Sequence, residues 1–309
     1  MINLSTEQGL IRVESFQEIL EMPGFLKNLD PTQYEMEAVI GNYMFKESVK
    51  CGLSSCHSPH NKGFIIKASN GRITNIGHIC GKTHFNVDFD SSVKSFLRAV
   101  EERDNREIIQ AFKNRIPILR KEFSDLKDRS KGIRWAINCT KTFSTPAGVP
   151  KSILSILEKA KKSSNGSLTI DRQMTDEEVE LALEQQNRIP NPDSEDDDPL
   201  PVMYTEEIVG RLDGIDILDE GAKFRKILVH DLERGVSELE QVDEDLLSYK
   251  DLRSWAKWIS EFEAKQNELM RLLGAANRFF VRSNLEQLTQ FMSEPNDLKK
   301  LRGAINSID

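Results

Sequence analysis

The chain concentrates its potential metal ligands in one short region. Three of its four cysteines and four of its five histidines lie between Cys51 and His84. Cysteine thiolate and histidine imidazole are ligands that zinc prefers, and random placement would rarely bring so many together. A bound metal would constrain the fold of this region more than any other feature, so we expect a metal-stabilised module here.

The residues between these ligand candidates are typical of a β-hairpin. Residues 64–69 and 72–77 form two short runs with β-branched members, separated by Asn70-Gly71. An Asn-Gly pair supplies the two positive φ angles of a type I′ turn. One ligand pair thus precedes a predicted hairpin, and a second pair follows it at the start of a helix. This order resembles the treble-clef type of zinc finger, and the resemblance covers only residues 49–90.

Four residues are the predicted ligands of one structural zinc ion: Cys51, Cys56, Cys80 and His84. Cys80 and His84 are four apart, which places both on one face of the first turn of a helix. The first pair is spaced more widely than the usual two intervening residues, so three histidines stay open as alternates: His57, His60 and His78. A cysteine-rich set of four protein ligands favours a closed structural site over a catalytic one.

Two other interpretations of the cluster stay open. Buried cysteine often has no function beyond packing, so the cluster could consist of ordinary core and loop residues. The stretch from His57 through His60 to Asn61 also has the residue types of a His-Asn-His metal nuclease. No second Asn and His follow at a convincing separation, and a bare His/Asn pair has a high false-positive rate. A degenerate nuclease of this type is therefore an alternative only.

Composition places further bounds on the protein. A chain of 309 residues has room for two domains. Its 30% of charged residues, net charge of −8 and mean hydropathy of −0.47 predict a soluble, helix-rich protein. We find neither a secretory signal nor an apolar run long enough for a membrane span. Cysteines grouped with histidines, and a solitary Cys139, fit a reducing compartment, so we expect a cytoplasmic protein with no membrane partner.

Two helices are predicted before the ligand cluster. The first covers residues 14–22 and ends at Pro23-Gly24. The second begins at Asp30-Pro31, with proline in its favoured first position. Its apolar stripe is Met36, Val39, Ile40, Tyr43 and Met44. We expect both helices to pack on the hairpin, because a two-stranded sheet is marginal alone.

Two long helices with coiled-coil seams are predicted beyond the cluster. The first seam, which Pro117 interrupts, is Ile109, Phe112, Ile116, Leu119, Phe123 and Leu126. The second lies in the proline-free residues 222–273 and is Leu232, Val236, Leu239, Val242, Leu246, Tyr249, Ile259, Phe262, Leu269 and Leu273. An antiparallel helical hairpin with an insertion at its tip is one arrangement. A parallel homodimer through the second seam is the other.

The insertion, residues 132–218, is the most irregular part of the chain. Val149-Pro150 opens a predicted helix, and residues 167–171 and 201–205 are predicted to pair as strands. Thr175 and Glu178 form a capping box for a polar helix. Residues 187–200 are predicted to be an acidic, disordered loop, since they offer almost nothing to bury. A helix followed by two strands is typical of a winged-helix element, so DNA binding enters as a possibility.

A basic stretch supplies candidates for phosphate contacts: Lys113, Arg115, Arg120, Lys121, Lys127, Arg129, Lys131 and Arg134. Three acidic residues interrupt them. The net charge of −8 opposes non-specific binding to phosphate backbones. The basic side chains would otherwise form the solvated face of a coiled coil and pair with the acidic second seam.

These observations predict a predominantly α-helical α+β protein in four segments. Residues 1–90 carry the zinc-stapled hairpin, 91–131 the first long helix, 132–218 the insertion and 219–309 the second long helix with the C-terminal helices. The common nucleotide-binding and hydrolase motifs are absent from the sequence. We expect a non-enzymatic, zinc-stabilised scaffold or adaptor that acts through protein contacts or a homodimer. A nucleic-acid-associated protein is the alternative.

Overall fold

The computed structural model describes residues 2–163, 165–185 and 200–308. Helices take 55% and strands 20% of the chain, which confirms a mixed fold of α+β type in which helix predominates. The chain forms two compact units. The first unit contains Met1–Asn114 and Val242–Ser260, and the second contains Arg115–Gln241 and Glu261–Asp309. The four-segment division stays a prediction.

The first unit is built on a five-stranded antiparallel sheet. Its strands are β1 (Ile2–Thr6), β2 (Gly9–Val13), β3 (Met36–Lys50), β4 (Pro59–Ala68) and β5 (Ile73–Ile76), in the order β2-β1-β3-β4-β5. Its helices are α1 (Phe16–Leu20), α2 (His78–Lys113) and the first part of α10 (Tyr249–Phe279). Each sheet face has its own apolar core. Ile66, Phe89 and Phe96 belong to one core, and Ile19 and Ile65 belong to the other.

Strand β3 corrects the sequence analysis. A helix was predicted from Asp30-Pro31 through Met44, but residues 36–50 form the central strand, paired with β1 and β4. The apolar spacing fits either structure, and the long-range partners decide it. Gly41 is the local signal that was missed. A Cβ there would lie 3.0 Å from the Asn3 carbonyl oxygen and 2.9 Å from Ile65, so the strands can approach only at glycine.

The N-terminal residues add two strands that were not predicted, β1 and β2. The helix predicted over residues 14–22 is present but shorter, since α1 covers Phe16–Leu20. Ser15 and Glu18 form a capping box at its start, because each side chain accepts from the backbone N–H of the other.

The hairpin predicted around Asn70-Gly71 is present as β4 and β5, but its turn is not type I′. Only Gly71 has a positive φ, of 79°. The Gly71 N–H donates to the Ala68 carbonyl, and the Ala68 N–H donates to that of Arg72. This is a three-residue loop closed by a left-handed glycine. The Asn-Gly signal therefore located the hairpin correctly and its turn type wrongly.

The first predicted long helix is divided into two. α2 ends at Lys113, and α3 (Ile116–Asp128) follows with Pro117 in its first turn. α2 is itself interrupted at Asn86, whose φ of 50° and ψ of −130° are not helical. The interruption falls directly after the ligand candidate His84 and separates the first turns of α2 from its long C-terminal part.

The second unit consists mainly of helices. They are α3, α4 (Ile133–Phe143), α5 (Lys151–Lys162), α6 (Asp176–Gln185), α7 (Ile217–Glu220), α8 (Lys223–Arg225), α9 (Arg234–Glu240), the second part of α10, α11 (Arg282–Glu286) and α12 (Pro295–Asn306). A π-helical segment (Lys226–Glu233) and a 3-10 segment (Gln287–Phe291) complete them. The core of this unit is mostly aliphatic and contains a group of packed aromatic side chains. Phe143 packs against Phe279 and Phe280, and Trp135 packs against Phe280.

The second seam is not one helix. α9 ends at Glu240, and α10 begins only at Tyr249. A turn in which Asp243 accepts from the backbone of Asp245 separates them, and Ser248 caps α10 by accepting from the Asp251 N–H. Within the second unit Phe123 packs against Phe262, so α3 does contact α10. Coiled-coil packing itself stays a prediction.

The insertion contains the predicted helix α5 and a two-stranded sheet. β6 (Ser167–Gln173) pairs with β7 (Tyr204–Arg211), so the second strand begins three residues later than predicted. The capping box at Thr175 and Glu178 is present and starts α6. The acidic loop predicted at residues 187–200 lies, except for its last residue, outside the described residues.

Glu178 links α6 to β6 through two hydrogen bonds from Arg172, of 2.6 and 2.7 Å. These bonds lower the pKa of Glu178 to about 2. A carboxylate with a lowered pKa stabilises the fold above its unfolded pKa and loses that effect as pH falls toward the folded value. We expect Glu178→Gln to lower the melting temperature at pH 7 and to match the parent below about pH 2. Glu177→Gln, which removes a neighbouring carboxylate without an ion pair in the described chain, should have little effect at either pH.

No helix in the described part of the chain is both long enough and apolar enough to cross a membrane.

Candidate metal centre

Three thiols converge in the first unit. The sulfur atoms of Cys51, Cys56 and Cys80 all lie within 4.8 Å of one another. Cys56 and Cys80 are the closest pair, with 3.2 Å between their sulfurs. Cys51 is buried, whereas Cys56 and Cys80 are half-buried. Three sulfurs in such a group can hold one metal ion.

The first two thiols come from the loop between β3 and β4. The Cys51 N–H donates to the Ser58 carbonyl over 3.0 Å, which closes residues 51–58 into a tight loop. Inside it, the Cys56 N–H donates to the Leu53 carbonyl, and the Ser58 N–H donates to the Cys56 sulfur over 3.4 Å. We call residues 51–58 the knuckle. Its backbone hydrogen bonds hold the loop in a shape that brings the Cys51 and Cys56 sulfurs close together.

Gly52 allows the knuckle to lie against strand β5. A Cβ at this position would stand 2.1 Å from Thr74 Oγ1, 2.9 Å from Asn75 Oδ1 and 3.0 Å from the Asn75 carbonyl oxygen. The Gly52 N–H donates to that same carbonyl over 2.8 Å. No side chain fits here, so the position of Cys51 depends on glycine at the next residue.

The third thiol comes from the start of α2. Cys80 lies in its first turn, and Gly81 follows it. A Cβ on Gly81 would lie 2.3 Å from the ring of Phe89, so this glycine lets the first turn pack directly on the core. The helix therefore holds Cys80 against a buried aromatic residue.

The histidines of the cluster have different surroundings. No nitrogen of His84 lies within 4.8 Å of all three sulfurs, but its Nε2 is 3.5 Å from Ser55 Oγ, beside Cys56. His78 packs on the rings of Phe64 and Phe89. His57 is exposed and has a positive φ of 58°. The structure thus brings together the three predicted cysteines and leaves the fourth ligand a prediction.

His60 uses both ring nitrogens in hydrogen bonds. Its Nδ1 donates to the Ser58 carbonyl over 3.2 Å, because a carbonyl can only accept. In the neutral ring Nε2 then accepts from the Tyr43 hydroxyl at 2.6 Å. Tyr43 in turn accepts from the Asn75 amide at 3.0 Å. His60 therefore anchors the end of the knuckle and is not free to bind the metal.

The thiols differ in their electrostatic surroundings. The pKa of Cys56 is lowered to about 7, chiefly because the Ser58 side chain and backbone donate hydrogen bonds to its sulfur. Burial raises the pKa of Cys80 well above that of a free thiol. Burial also raises the pKa of Cys139, which lies outside the group, to about 11. A thiolate at Cys56 is the form that binds a metal ion.

Four of the eight residues of the basic stretch form ion pairs with carboxylates. In the first unit Lys113 donates to Glu244 at 2.8 Å. In the second unit three further ion pairs form, Arg120 with Glu240, Lys127 with Glu233 and Arg134 with Asp128. Lys131 lies 5.9 Å from the centre of the Trp135 ring. The same eight residues remain the predicted phosphate contacts.

Sequence analysis missed the residues that support the thiols. Thr74 and Asn75 are buried polar residues of β5, and both hold the knuckle. The signal was available in part, since the run Ile-Thr-Asn-Ile places two polar residues in a strand that is buried throughout. Such residues need partners, but only the structure shows that the Thr74 hydroxyl donates to the Gly52 carbonyl in the knuckle and the Asn75 amide to the Lys50 carbonyl just before it.

No protein-family model, curated protein or solved structure matches this chain.

Proposed function

We propose that Cys51, Cys56 and Cys80 hold one structural zinc ion, with His84 as the fourth ligand. The observation that carries this proposal is the convergence of three thiols from two separate elements within 4.8 Å. A loop pair, a hairpin and a helix start occur in the order that a treble-clef finger uses. Zinc suits this donor set, because thiolates with one imidazole make a common tetrahedral structural site.

His84 is the best fourth ligand for local reasons. It follows Cys80 by four residues in the same helix, and its ring lies beside Ser55 of the knuckle. His60 is committed to Tyr43 and Ser58, and His78 to two aromatic rings. The interruption at Asn86 ends the regular turn immediately beyond His84. Its half-buried ring already lies next to the knuckle that carries Cys51 and Cys56.

We further propose that the metal-stabilised module is a scaffold for protein contacts and does not catalyse a reaction. Four protein ligands would leave no open position for a substrate or a water nucleophile. Two apolar side chains close in sequence to Cys80 and His84, Ile79 and Val87, are exposed by 80% and 75%. Exposed apolar side chains next to a rigid site favour a protein-binding role. Nucleic-acid binding stays the alternative, but the ion pairs of Lys113, Arg120 and Lys127 oppose it.

Cobalt substitution tests the ligand set. Co²⁺ replaces Zn²⁺ in tetrahedral sites, and its visible absorption reports both the number of thiolates and the presence of a nitrogen ligand. We expect a tetrahedral spectrum for three sulfurs and one nitrogen. His84→Ala should shift the spectrum, and added imidazole should restore it.

The control variants sharpen this experiment. His78→Ala, at the start of the same helix, and His57→Ala, at an exposed side chain, should keep the parent spectrum. The parent spectrum should also be insensitive to added thiocyanate, since a closed site has no position for it. A spectrum that changes with thiocyanate, or with His57 instead of His84, would point to an open site and contradict the scaffold proposal.

A further inference from the structure

A cleft lies between the knuckle and helix α1. Its volume is about 500 Å³, and Phe16, Phe25, Lys50, Cys51 and His57 are among its lining residues. Pockets of this size hold small molecules in many proteins. The cleft belongs entirely to the first unit and is separate from the predicted ligand atoms of His84 and Cys80.

The floor of the cleft is aromatic. Phe16 and Phe25 are half-buried, with ring centres 6.5 Å apart and planes nearly perpendicular. Phe16 is backed by Tyr43 and Phe45, whose ring centres lie 5.4 and 5.9 Å from its own. These contacts fix the Phe16 ring while leaving part of its surface open. A planar apolar group could pack there with little loss of side-chain entropy.

The rim of the cleft is cationic. Lys27, Lys50 and His57 line it, and none of them makes an ion pair within the described residues. No Asp or Glu is among the described residues that line it. The chain as a whole has a net charge of −8, so a lining with two lysines and no carboxylate is opposite in sign to the average of the protein. Two unpaired lysines next to one histidine favour an anionic group.

Asn75 adds one fixed polar atom. It is only 3% exposed, yet it lines the cleft. Its amide nitrogen gives one hydrogen to Tyr43 and the other to the Lys50 carbonyl, at 3.0 and 2.9 Å. These bonds fix the orientation of the amide. Its Oδ1 has no partner in the described chain and is not fully enclosed, so it is available to a donor on a bound molecule.

We propose that this cleft binds a small anion that carries an aromatic ring, such as a nucleoside monophosphate or an aromatic carboxylate. The ring would pack on Phe16 and Phe25, the anion would lie between Lys27 and Lys50, and Asn75 Oδ1 would accept a hydrogen bond from the ring system. The inference does not depend on which metal the thiols bind. The proposed contacts come from Phe16, Phe25, Lys27, Lys50 and Asn75, and none of these is a predicted metal ligand.

Calorimetric titration of the full chain tests this inference. The probes are AMP and indole-3-acetate, with adenosine and inorganic phosphate as fragments that lack either the charge or the ring. We expect at least one anionic ring compound to bind with a Kd below about 1 mM, and both fragments to bind at least about tenfold more weakly. Binding of AMP but not indole-3-acetate would assign a phosphate, and the reverse would assign a carboxylate.

Variants then locate the site. Lys27→Gln/Lys50→Gln changes two exposed side chains and should weaken binding by about tenfold or more. Lys67→Gln, which removes a lysine paired with Glu37 outside the cleft, should bind as the parent does. Circular dichroism and thermal melting check that each variant is folded. No binding of either anionic compound, or equal binding by the double variant, would overturn the inference.

Discussion

Removal of the metal is expected to abolish hydrogen-exchange protection in the knuckle and the first turns of α2, while the five-stranded sheet keeps its protection. The reason is that the knuckle and the sheet differ in strand pairing and in the number of buried side chains that hold them. Apart from the isolated bridge between Leu53 and Leu29, residues 51–58 have no strand pairing, and the buried apolar side chains of the knuckle are Cys51 and Leu53. The sheet has a core on each face, with fully buried residues such as Ile2, Ile65 and Ile66.

The size of the effect follows from the energetics of structural zinc. Zinc bound to thiolate-rich finger peptides contributes about 10–16 kcal/mol of apparent free energy at pH 7. The backbone hydrogen bonds of the knuckle, such as those from Gly52 to Asn75 and from Ser54 to Leu29, replace only part of that energy, because each contributes about 1 kcal/mol net. We therefore expect local opening of residues 51–58 and 78–85 after chelation, measured by hydrogen exchange with mass spectrometry before and after treatment with a strong zinc chelator.

The second unit provides the internal control for this experiment. Its core residues, such as Phe143 and Phe280, have no connection to the thiols, so their segments should exchange at the same rate with and without chelator. Cys80→Ala should show the open pattern before chelation and no further change after it. Unchanged protection of the knuckle in the chelated parent would contradict a structural role for the metal.

Gly52→Ala is expected to be among the most destabilising small substitutions in the first unit. Its new Cβ would stand 2.1 Å from Thr74 Oγ1 and 3.0 Å from a backbone oxygen of Asn75. The threonine cannot turn away without breaking its hydrogen bonds to the Leu26 and Gly52 carbonyls, of 2.7 and 3.2 Å. We expect a loss of about 2–3 kcal/mol in the free energy of unfolding, measured by urea denaturation.

The same substitution should weaken metal binding, because the knuckle must shift and carry Cys51 with it. Gly77→Ala is the matched control. This glycine precedes α2, has an ordinary φ of −75°, and a Cβ there would lie no closer than 3.5 Å to the His60 ring. Its effect should stay below about 1 kcal/mol, within the range of helix-cap changes. If both variants lost the same free energy of unfolding, the close contact between Gly52 and strand β5 would not be the cause of the destabilisation.

The parts of the fold that sequence predicted correctly depend on local chemistry. Thr175 and Glu178 form the predicted capping box, and its members are three residues apart, so the pattern alone marks the helix start. Asn70-Gly71 marked the hairpin for the same reason. The three cysteines were predicted from their residue type, and the structure brings them together.

The parts that failed depend on distant residues. The apolar stripe from Met36 to Met44 fits both a helix and a strand, and only pairing with β1 and β4 selects the strand. The second seam has coiled-coil spacing across residues 241–248, yet the side-chain bonds of Asp243 and Ser248 break the helix there. The spacing of apolar residues shows which of them share one face of a helix or strand. It does not show which other element packs against that face.

The fourth metal ligand also could not be chosen from the spacing of residues alone. Spacing placed Cys80 and His84 on one helical face, and it left His57, His60 and His78 as alternates. In the structure Tyr43 and Ser58 occupy both nitrogens of His60, which disfavours it as a ligand, and the fourth ligand stays a prediction. The tyrosine partner lies seventeen residues away in β3, and no local pattern connects it to the histidine.

The measurement that tests the central claim most directly is the metal content of the purified chain by elemental analysis, repeated on Cys80→Ala and Cys139→Ala. Both variants remove one cysteine, but Cys139 lies in α4 of the second unit and outside the thiol group. We predict about one zinc per chain in the parent and in Cys139→Ala, and none retained in Cys80→Ala. A parent chain without metal, or a Cys80→Ala variant that keeps its zinc, would contradict the account.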